Sequence, residues 1–96
     1  MPIQSFADQA AEDFWNGVST AKSRKLAALG TVGHRKLDML HFAVQLTDLL
    51  VPPGNRLEAL RGDLAGLHSI RINDQWRIVF RWTNAGPAEV RIVDYH

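Results

Sequence analysis

The sequence predicts a single α+β domain over residues 1–96, with two helices packed on one face of a twisted antiparallel sheet. Three observations lead to this prediction. Apolar residues recur at helical intervals before the Val51-Pro52-Pro53-Gly54 break and at alternate positions after it. Turn-forming residues separate the alternating runs by only a few positions, which favours an antiparallel meander. The predicted order of elements is β-α-α-β-β-β-β.

The first half of the chain predicts one strand and two helices. A short strand is expected over Ile3–Phe6. Asp8 is placed to cap a helix that runs to about Trp15. Thr31 is placed to cap a second, amphipathic helix over residues 32–45. The apolar face of this second helix comprises Leu37, Met39, Leu40, His41, Phe42, Ala43 and Val44.

The second half predicts four strands. These strands cover residues 57–60, 69–72, 76–82 and 89–95. In the last three, the apolar residues at even positions are expected to face the helices, so the odd positions share the opposite face. That opposite face comprises Arg71, Arg77, Val79, Arg81, Arg91, Val93 and Tyr95. Asp94 falls on the helix-facing side.

The turn at residues 73–75 fixes the register of the hairpin around it. Keeping the apolar side chains inward pairs Ile72 with Trp76, which places Arg71 opposite Arg77. Like charges at directly opposite positions destabilise a sheet. A sheet that binds an anion can use such a pair.

The turn at residues 83–87 permits two registers for the last hairpin. In one register Arg77 lies beside Tyr95. In the other, Arg81 lies opposite Glu89 and forms a surface ion pair. Both registers are compatible with the sequence, and a β-bulge would alter either.

The basic residues are distributed unevenly. Residues 51–96 contain six arginines and no lysine, and all the lysines precede them. The planar guanidinium matches phosphate oxygens in pairs, so one interpretation is contact with phosphate or RNA. The alternative is that the arginines solvate the exposed face of the sheet.

Composition excludes several classes of protein. The chain has no cysteine, which excludes disulfides, thiolate catalysis and cysteine zinc sites. It has neither an apolar run long enough to span a membrane nor a signal-peptide pattern. We therefore expect a cytoplasmic protein that does not associate with membranes.

The last residues of the chain carry the candidate chemistry. Cleavage of RNA at its own 2′-hydroxyl needs a proton acceptor, a proton donor for the leaving 5′-oxygen, and a cation for the phosphate. His96 suits proton transfer near neutral pH, and Tyr95 acts as a base only where neighbouring arginines lower its pKa. Arg77 would supply the cation, and Asp94 would orient its neighbours. The alternative is the ordinary polar end of an edge strand.

The remaining histidines do not predict a metal site. His34 and His41 are seven residues apart, which is not the spacing of a metal-binding helix, and no acidic ligand accompanies them. His41 is expected at the edge of the core, and His68 is expected to be exposed. We therefore predict no metal. The sequence also has no glycine-rich phosphate loop, and we predict no cofactor.

Three motifs, VPPGNRLEALRGD, SIRINDQWRI and VDYH, occupy residues 51–63, 69–78 and 93–96. In this order they resemble the HigB toxins of the RelE/ParE superfamily, and the resemblance covers nearly the whole chain. It implies a RelE/ParE-like microbial-ribonuclease fold. It also implies a type II toxin that enters the ribosomal A site and cleaves translated mRNA by metal-independent acid/base chemistry.

The resemblance also implies partners. These are a HigA-type helix-turn-helix antitoxin, the ribosome at its 30S A site, and mRNA, with operator DNA contacted only through the antitoxin. The exposed basic stretch Ser19–Lys25 and the first helix are candidate surfaces for the antitoxin. Two other functions stay open. One is growth inhibition through a protein target, as in the gyrase-inhibiting relatives, and the other is a role chiefly as corepressor.

The resemblance assigns catalytic positions to Arg77, Asp94, Tyr95 and His96. The residues predicted to contact RNA are Arg61, Arg71, Arg81 and Glu58. Two of these depart from the family form that carries a histidine and a lysine after the Pro-Pro-Gly-Asn turn, because Glu58 and Arg61 stand there. Arg61 keeps a positive charge for phosphate. Glu58 cannot act as a cation, although it can accept a proton.

Overall fold

The computed structural model describes residues 1–94 and has an α+β architecture, as predicted. Two α-helices, α1 (Gln9–Trp15) and α2 (Gly30–Phe42), pack against a four-stranded antiparallel sheet. The strands are β1 (Glu58–Ala59), β2 (His68–Arg71), β3 (Trp76–Thr83) and β4 (Gly86–Asp94), in the order β1-β2-β3-β4. Short 3-10 segments connect these elements at Arg24–Leu29, Leu46–Leu50, Pro53–Asn55 and Gly62–Leu64. Over residues 1–94, neither α-helix has the length and apolarity needed to cross a membrane.

Helix α1 begins at the predicted cap. Asp8 has an extended backbone, and its carboxylate accepts a hydrogen bond of 3.1 Å from the amide of Ala10. Ala10, Ala11 and Phe14 are the buried side of this helix. The helix ends at Trp15, as predicted from the sequence.

Helix α2 starts and ends earlier than the apolar pattern suggests. It begins at Gly30 directly after the 3-10 segment Arg24–Leu29, so Thr31 is not its cap. Ala43 adopts an extended backbone and ends the helix at Phe42. The assignment of Phe42 and Val44 to the buried face is therefore wrong: both are more than two-thirds exposed.

The strand predicted over Ile3–Phe6 is reduced to a single parallel bridge between Phe6 and Val90. The amides of Gln4 and Ala7 donate to the carbonyls of Pro87 and Val90, at 2.7 and 2.9 Å. The amide of Val90 donates to the carbonyl of Ser5 at 3.0 Å, and the amide of Glu89 donates to the hydroxyl of the same residue at 2.9 Å. The segment is thus bonded to β4 without forming a regular strand.

The two hairpins of the sheet differ in regularity. In the β2-β3 hairpin, Arg71 pairs with Arg77 as predicted, and the Asn73 side chain closes the turn by accepting from the amide of Trp76. In the β3-β4 hairpin, Arg77 pairs with Val93, so the register that would set Arg77 beside Tyr95 is not formed. A bulge between Val79 and Arg81 then shifts the pairing by one residue.

Both faces of the sheet are partly covered. The helix-facing side forms the core, as predicted, and its fully buried residues include Phe80, Leu37, Leu40, Ile70, Ile78 and Val90. On the opposite face Ser69, Arg77 and Val79 are also buried. The segment that leads into β1 reaches this face, because the carbonyl of Arg56 and the side chain of Glu58 both contact Arg77. The arginine-bearing face is therefore not an open surface at its centre.

Candidate active site

Arg77 is the centre of the candidate site. It extends from β3, and its side chain is only 8% exposed. Nη1 donates to the hydroxyl of Ser69 at 2.9 Å and to the carbonyl of Arg56 at 3.4 Å. Nη2 lies 3.1 Å from a carboxylate oxygen of Glu58. Within residues 1–94, three separate groups thus fix a guanidinium that is nearly withdrawn from water. Its field on any anion that reaches it is strengthened as a result.

Glu58 stands at the boundary between this buried cation and solvent. It belongs to the two-residue strand β1, where it pairs with Ser69 at the edge of the sheet. Its side chain remains 47% exposed while one carboxylate oxygen contacts Arg77. The carboxylate is therefore accessible to a substrate and is oriented by a fixed partner, a geometry that suits a proton acceptor.

The turn before β1 is anchored by a buried amide. Asn55 is completely buried, and its Nδ2 donates to the carbonyls of Leu49 and Val51 at 3.2 and 3.4 Å. Its Oδ1 accepts a hydrogen bond of 2.5 Å from the ammonium of Lys36. Arg56 follows with φ +47°, a left-handed conformation that is uncommon for a residue with a side chain.

A cationic cluster adjoins this turn. Burial lowers the pKa of the Lys36 ammonium, and the nearby charges of Arg35 and Arg71 lower it further. Lys36 is held there through its contact with Asn55. The cluster concentrates positive charge beside the turn that leads into β1, although its members come from both halves of the chain.

The other sheet arginines are paired with carboxylates. Arg71 contacts Asp74, which lies in the adjoining turn. Arg81 lies 2.7 Å from Glu89, which is the predicted ion pair, although the bulge sets Arg81 opposite Ala88 and not opposite Glu89. Arg91 lies 3.9 Å from the same residue. Glu89 sits in the β4 bulge with φ +53°. These ion pairs make the face less positive than its arginine count indicates.

Arg61 and Asp94 are the two remaining predicted site residues within the described range. Arg61 is exposed just before the 3-10 segment Gly62–Leu64, and it forms no ion pair with any residue in the described range. Asp94 pairs with Trp76 and accepts a hydrogen bond of 3.0 Å from the side chain of Gln75. Its partner Trp76 packs against the core, so Asp94 has the predicted helix-facing parity, although its side chain is exposed.

Two predicted catalytic residues, Tyr95 and His96, lie outside the described residues. The predicted positions that do come together are Arg77 and Glu58. Arg71 is the cross-strand partner of Arg77, but its side chain contacts Asp74. Within residues 1–94, the side chains of Arg81 and Asp94 bond Glu89 and Gln75 instead of that pair, and Arg61 forms no ion pair. Sequence reasoning missed Ser69 and Arg56, because a serine and a turn arginine show no pattern. The sequence offers one signal: Ser69 has an odd number and precedes Arg71 by two residues, which places it on the same face of the sheet as the arginines.

The remaining histidines pack against aromatic rings or bond the backbone. His34 stacks on Phe14 at 4.3 Å. His41 accepts a hydrogen bond of 3.2 Å from the amide of Ile3 at the core edge, as predicted. His68 is half-buried and stacks on Phe80, so its expected exposure is wrong. Over residues 1–94, no group of three histidine, aspartate or glutamate side chains is placed to hold a metal ion.

The sequence is similar to those of known bacterial proteins. Residues 4–96 match the family model of HigB-like toxins, described as the RelE-like toxin of the type II toxin-antitoxin system HigB. Toxin HigB-1 of Vibrio cholerae serotype O1 is 50% identical over 62 residues, which are 65% of this chain and 64% of that protein. An uncharacterized protein of Haemophilus influenzae is 40% identical over 50 residues, which are 52% of this chain and 50% of its own. The match thus spans only part of each relative's length.

A solved structure shares the fold. The YoeB-YefM complex from Staphylococcus aureus contains a chain that superposes with a TM-score of 0.62 and 21% sequence identity. The alignment covers 100% of this chain and 97% of that one. At this level of identity the likeness concerns the arrangement of helices and strands.

Proposed function

The chain belongs to the HigB-like family of RelE-like type II toxins, and from this membership we propose that it is a ribosome-dependent endoribonuclease that cleaves mRNA in the A site. The observation that carries the proposal is the contact between the half-exposed carboxylate of Glu58 and the buried guanidinium of Arg77. This arrangement places a proton acceptor beside a fixed cation. RNA cleavage at a 2′-hydroxyl uses both.

In the proposed reaction, the 2′-oxygen of the RNA attacks the adjacent phosphorus, and Glu58 accepts the proton that this hydroxyl loses. Arg77 stabilises the negative charge that builds up on the phosphate oxygens. The bond from phosphorus to the 5′-oxygen then breaks, and that oxygen takes a proton. The products are a 2′,3′-cyclic phosphate and a 5′-hydroxyl, and no metal ion takes part.

The terminal residues complete the proposal. His96 donates the proton to the leaving 5′-oxygen, because an imidazole exchanges protons readily near neutral pH. Tyr95 contributes a hydrogen bond to the phosphate, and Asp94 orients this end of the chain through its contact with Gln75. These assignments rest on the family resemblance and on side-chain chemistry.

The substrate is proposed to lie along the arginine-bearing face. Arg61 is exposed without an ion pair to any of residues 1–94, so its charge is available to RNA phosphate. Arg71 and Arg81 contact RNA by exchanging their carboxylate partners, Asp74 and Glu89, for phosphate oxygens. Such exchange requires no change in the sheet.

An antitoxin is the proposed protein partner. Membership in a toxin-antitoxin family supports this partner class, and the structural relative from Staphylococcus aureus belongs to a YoeB-YefM complex. We propose an antitoxin of the HigA type with a helix-turn-helix domain, so that operator DNA is contacted only through that partner. The ribosome supplies the mRNA in the conformation that is cleaved.

Primer extension on an mRNA, with and without translating ribosomes, tests the proposed function. We expect cuts only with ribosomes and at least a hundredfold slower cutting by Arg77→Ala, since one catalytic group is worth about 10²–10⁴-fold. Arg24→Ala is the matched control, because Arg24 is exposed beside a different cavity. Growth arrest without any ribosome-dependent cuts would reject the nuclease and favour a protein target.

A further inference from the structure

Arg56 is fixed beside the proposed catalytic arginine through its backbone. Its carbonyl accepts a hydrogen bond from Arg77 Nη1 at 3.4 Å, while its own side chain is exposed. The left-handed φ of +47° costs energy for any residue other than glycine. Such conformations persist where the surroundings hold them, and they cluster at functional sites.

The preceding residue makes this position rigid. Asn55 is completely buried, and its side chain bonds the carbonyls of Leu49 and Val51 and the ammonium of Lys36. Arg56 is therefore held on one side by a buried amide network and on the other by Arg77. Because this backbone is already fixed, binding a ligand at Arg56 has to order only the side chain.

The charge of Arg56 is uncompensated within the described part of the chain. The four sheet arginines each lie within ion-pair distance of a carboxylate; these are Arg71, Arg77, Arg81 and Arg91. Arg56 forms no such pair within residues 1–94. A cation in a strained and anchored turn beside Arg77 is suited to an anion from outside the protein.

We propose that Arg56 binds the RNA phosphate next to the scissile one, so that Arg77 and Arg56 hold neighbouring phosphates. The exposed side chain of Arg56 starts from a backbone that contacts Arg77 and lies two residues before the half-exposed Glu58. The phosphate contact fixes the position of the strand relative to Glu58 and carries no sequence information. The inference rests on the proposed RNA substrate and adds a binding residue outside the predicted set.

Binding to an uncleavable RNA, with a 2′-deoxy nucleotide at the cut site, tests the contact without requiring cleavage. Arg56→Gly keeps the left-handed backbone and removes the guanidinium, and Arg56→Lys keeps the charge. We expect Arg56→Gly to weaken binding about tenfold, the typical loss for one charged hydrogen bond. We also expect the slope of log affinity against log salt to fall by about 0.7, one phosphate contact on a single strand. Arg56→Lys should keep most of the wild-type affinity and most of the wild-type salt dependence.

A neutral-phosphate scan locates the contact. Single methylphosphonates are placed on either side of the cut site, and binding of the wild-type protein is compared with that of Arg56→Gly. At one position next to the scissile phosphate, the two losses should fail to add, because both changes remove the same interaction. Additive losses at every position would overturn the proposal.

Arg24→Ala is the matched control for charge, since it removes one exposed cation that has no ion pair within residues 1–94 and lies outside the site. If Arg24→Ala weakens binding as much as Arg56→Gly does, the effect is general attraction and the specific contact is rejected. A wild-type protein that binds RNA through Arg56 and makes no ribosome-dependent cuts would reject the nuclease while keeping Arg56 as a phosphate-binding residue. If the wild-type protein cleaves mRNA normally and Arg56→Gly binds RNA as tightly as the wild type, the nuclease is kept and the role of Arg56 is rejected.

Discussion

The Ser69 hydroxyl accepts a hydrogen bond of 2.9 Å from Nη1 of Arg77, and both residues are buried between β2 and β3. Ser69 pairs with Val79 and Arg77 pairs with Arg71, so the two are diagonal neighbours on one face. The buried Ser69 hydroxyl thus orients the guanidinium on one side, while the half-exposed Glu58 contacts its other nitrogen. Ser69 is thus a positioning residue for the proposed site.

Ser69→Ala should slow mRNA cleavage about tenfold while most of the protein stays folded. The substitution leaves a buried charged donor without one acceptor, which costs about 1–3 kcal/mol. Cleavage per folded molecule is measured by primer extension, and the free energy of unfolding is measured with urea. Ser23→Ala is the control, since Ser23 is also buried and hydrogen-bonded but lies between the helices. A Ser69→Ala variant as fast as Ser23→Ala would show that Arg77 needs no such support.

Glu58→Gln should reduce the single-turnover cleavage rate by about 10²–10⁴-fold, the usual contribution of a proton-transfer residue. The amide oxygen can still accept a hydrogen bond from Arg77, so stability should change little. Rates are measured on translated mRNA at saturating toxin concentration. Glu12→Gln, in helix α1, supplies the isosteric control. Wild-type rates for Glu58→Gln would assign the proton acceptor to another residue.

Gly33→Ala should destabilise the fold by about 1–3 kcal/mol, although alanine normally stabilises a helix relative to glycine. A Cβ at this position would lie 2.9 Å from Leu29 Cβ and 3.0 Å from the ring of Phe14. Gly54→Ala meets no atom within 4 Å and should leave stability unchanged or raise it by up to about 1 kcal/mol. Urea unfolding of both variants compares the two effects. A stabilised Gly33→Ala would mean that the contact between the helices is loose.

Asp48→Asn should destabilise the protein at neutral pH but not in acid. Hydrogen bonds from the amides of Val44 and Gln45 hold the pKa of Asp48 below its usual 3.8. Because the folded state binds this proton less tightly, the stabilisation is complete above about pH 4 and is lost as the pH falls through the folded pKa. Urea midpoints of variant and wild type should therefore converge on acidification. The exposed Asp63→Asn serves as control, and a constant gap from pH 7 to the acid limit would contradict this assignment.

Local features of the fold were predictable because the residues that decide them are close in sequence. The cap of α1 depends on Asp8 and the amide of Ala10. The β2-β3 register follows from alternating apolar residues on either side of a short turn closed by Asn73, and it placed Arg71 opposite Arg77 correctly. The family resemblance, confirmed by the match over residues 4–96, provided the predicted site positions.

The features that sequence reasoning missed depend on contacts between distant residues. The bulge in β4 coincides with a hydrogen bond from the amide of Glu89 to Ser5, which is 84 residues away. Arg77 is buried because the turn around Arg56 and the strand at Glu58 fold back over it. Strand parity places a side chain on a face, but it does not reveal which loop covers that face. The catalytic roles of Tyr95 and His96 stay predictions.

The N-terminal segment that replaces the predicted first strand has a consequence for aggregation. Backbone hydrogen bonds join residues 4–7 to Pro87 and Val90 on the outer side of β4, and β1 at the opposite edge is only two residues long. Open strand edges are the usual template on which a second chain adds. Within the described residues, the first half of one edge is therefore shielded and the other edge is very short. The fold thereby limits the backbone that is available for strand addition.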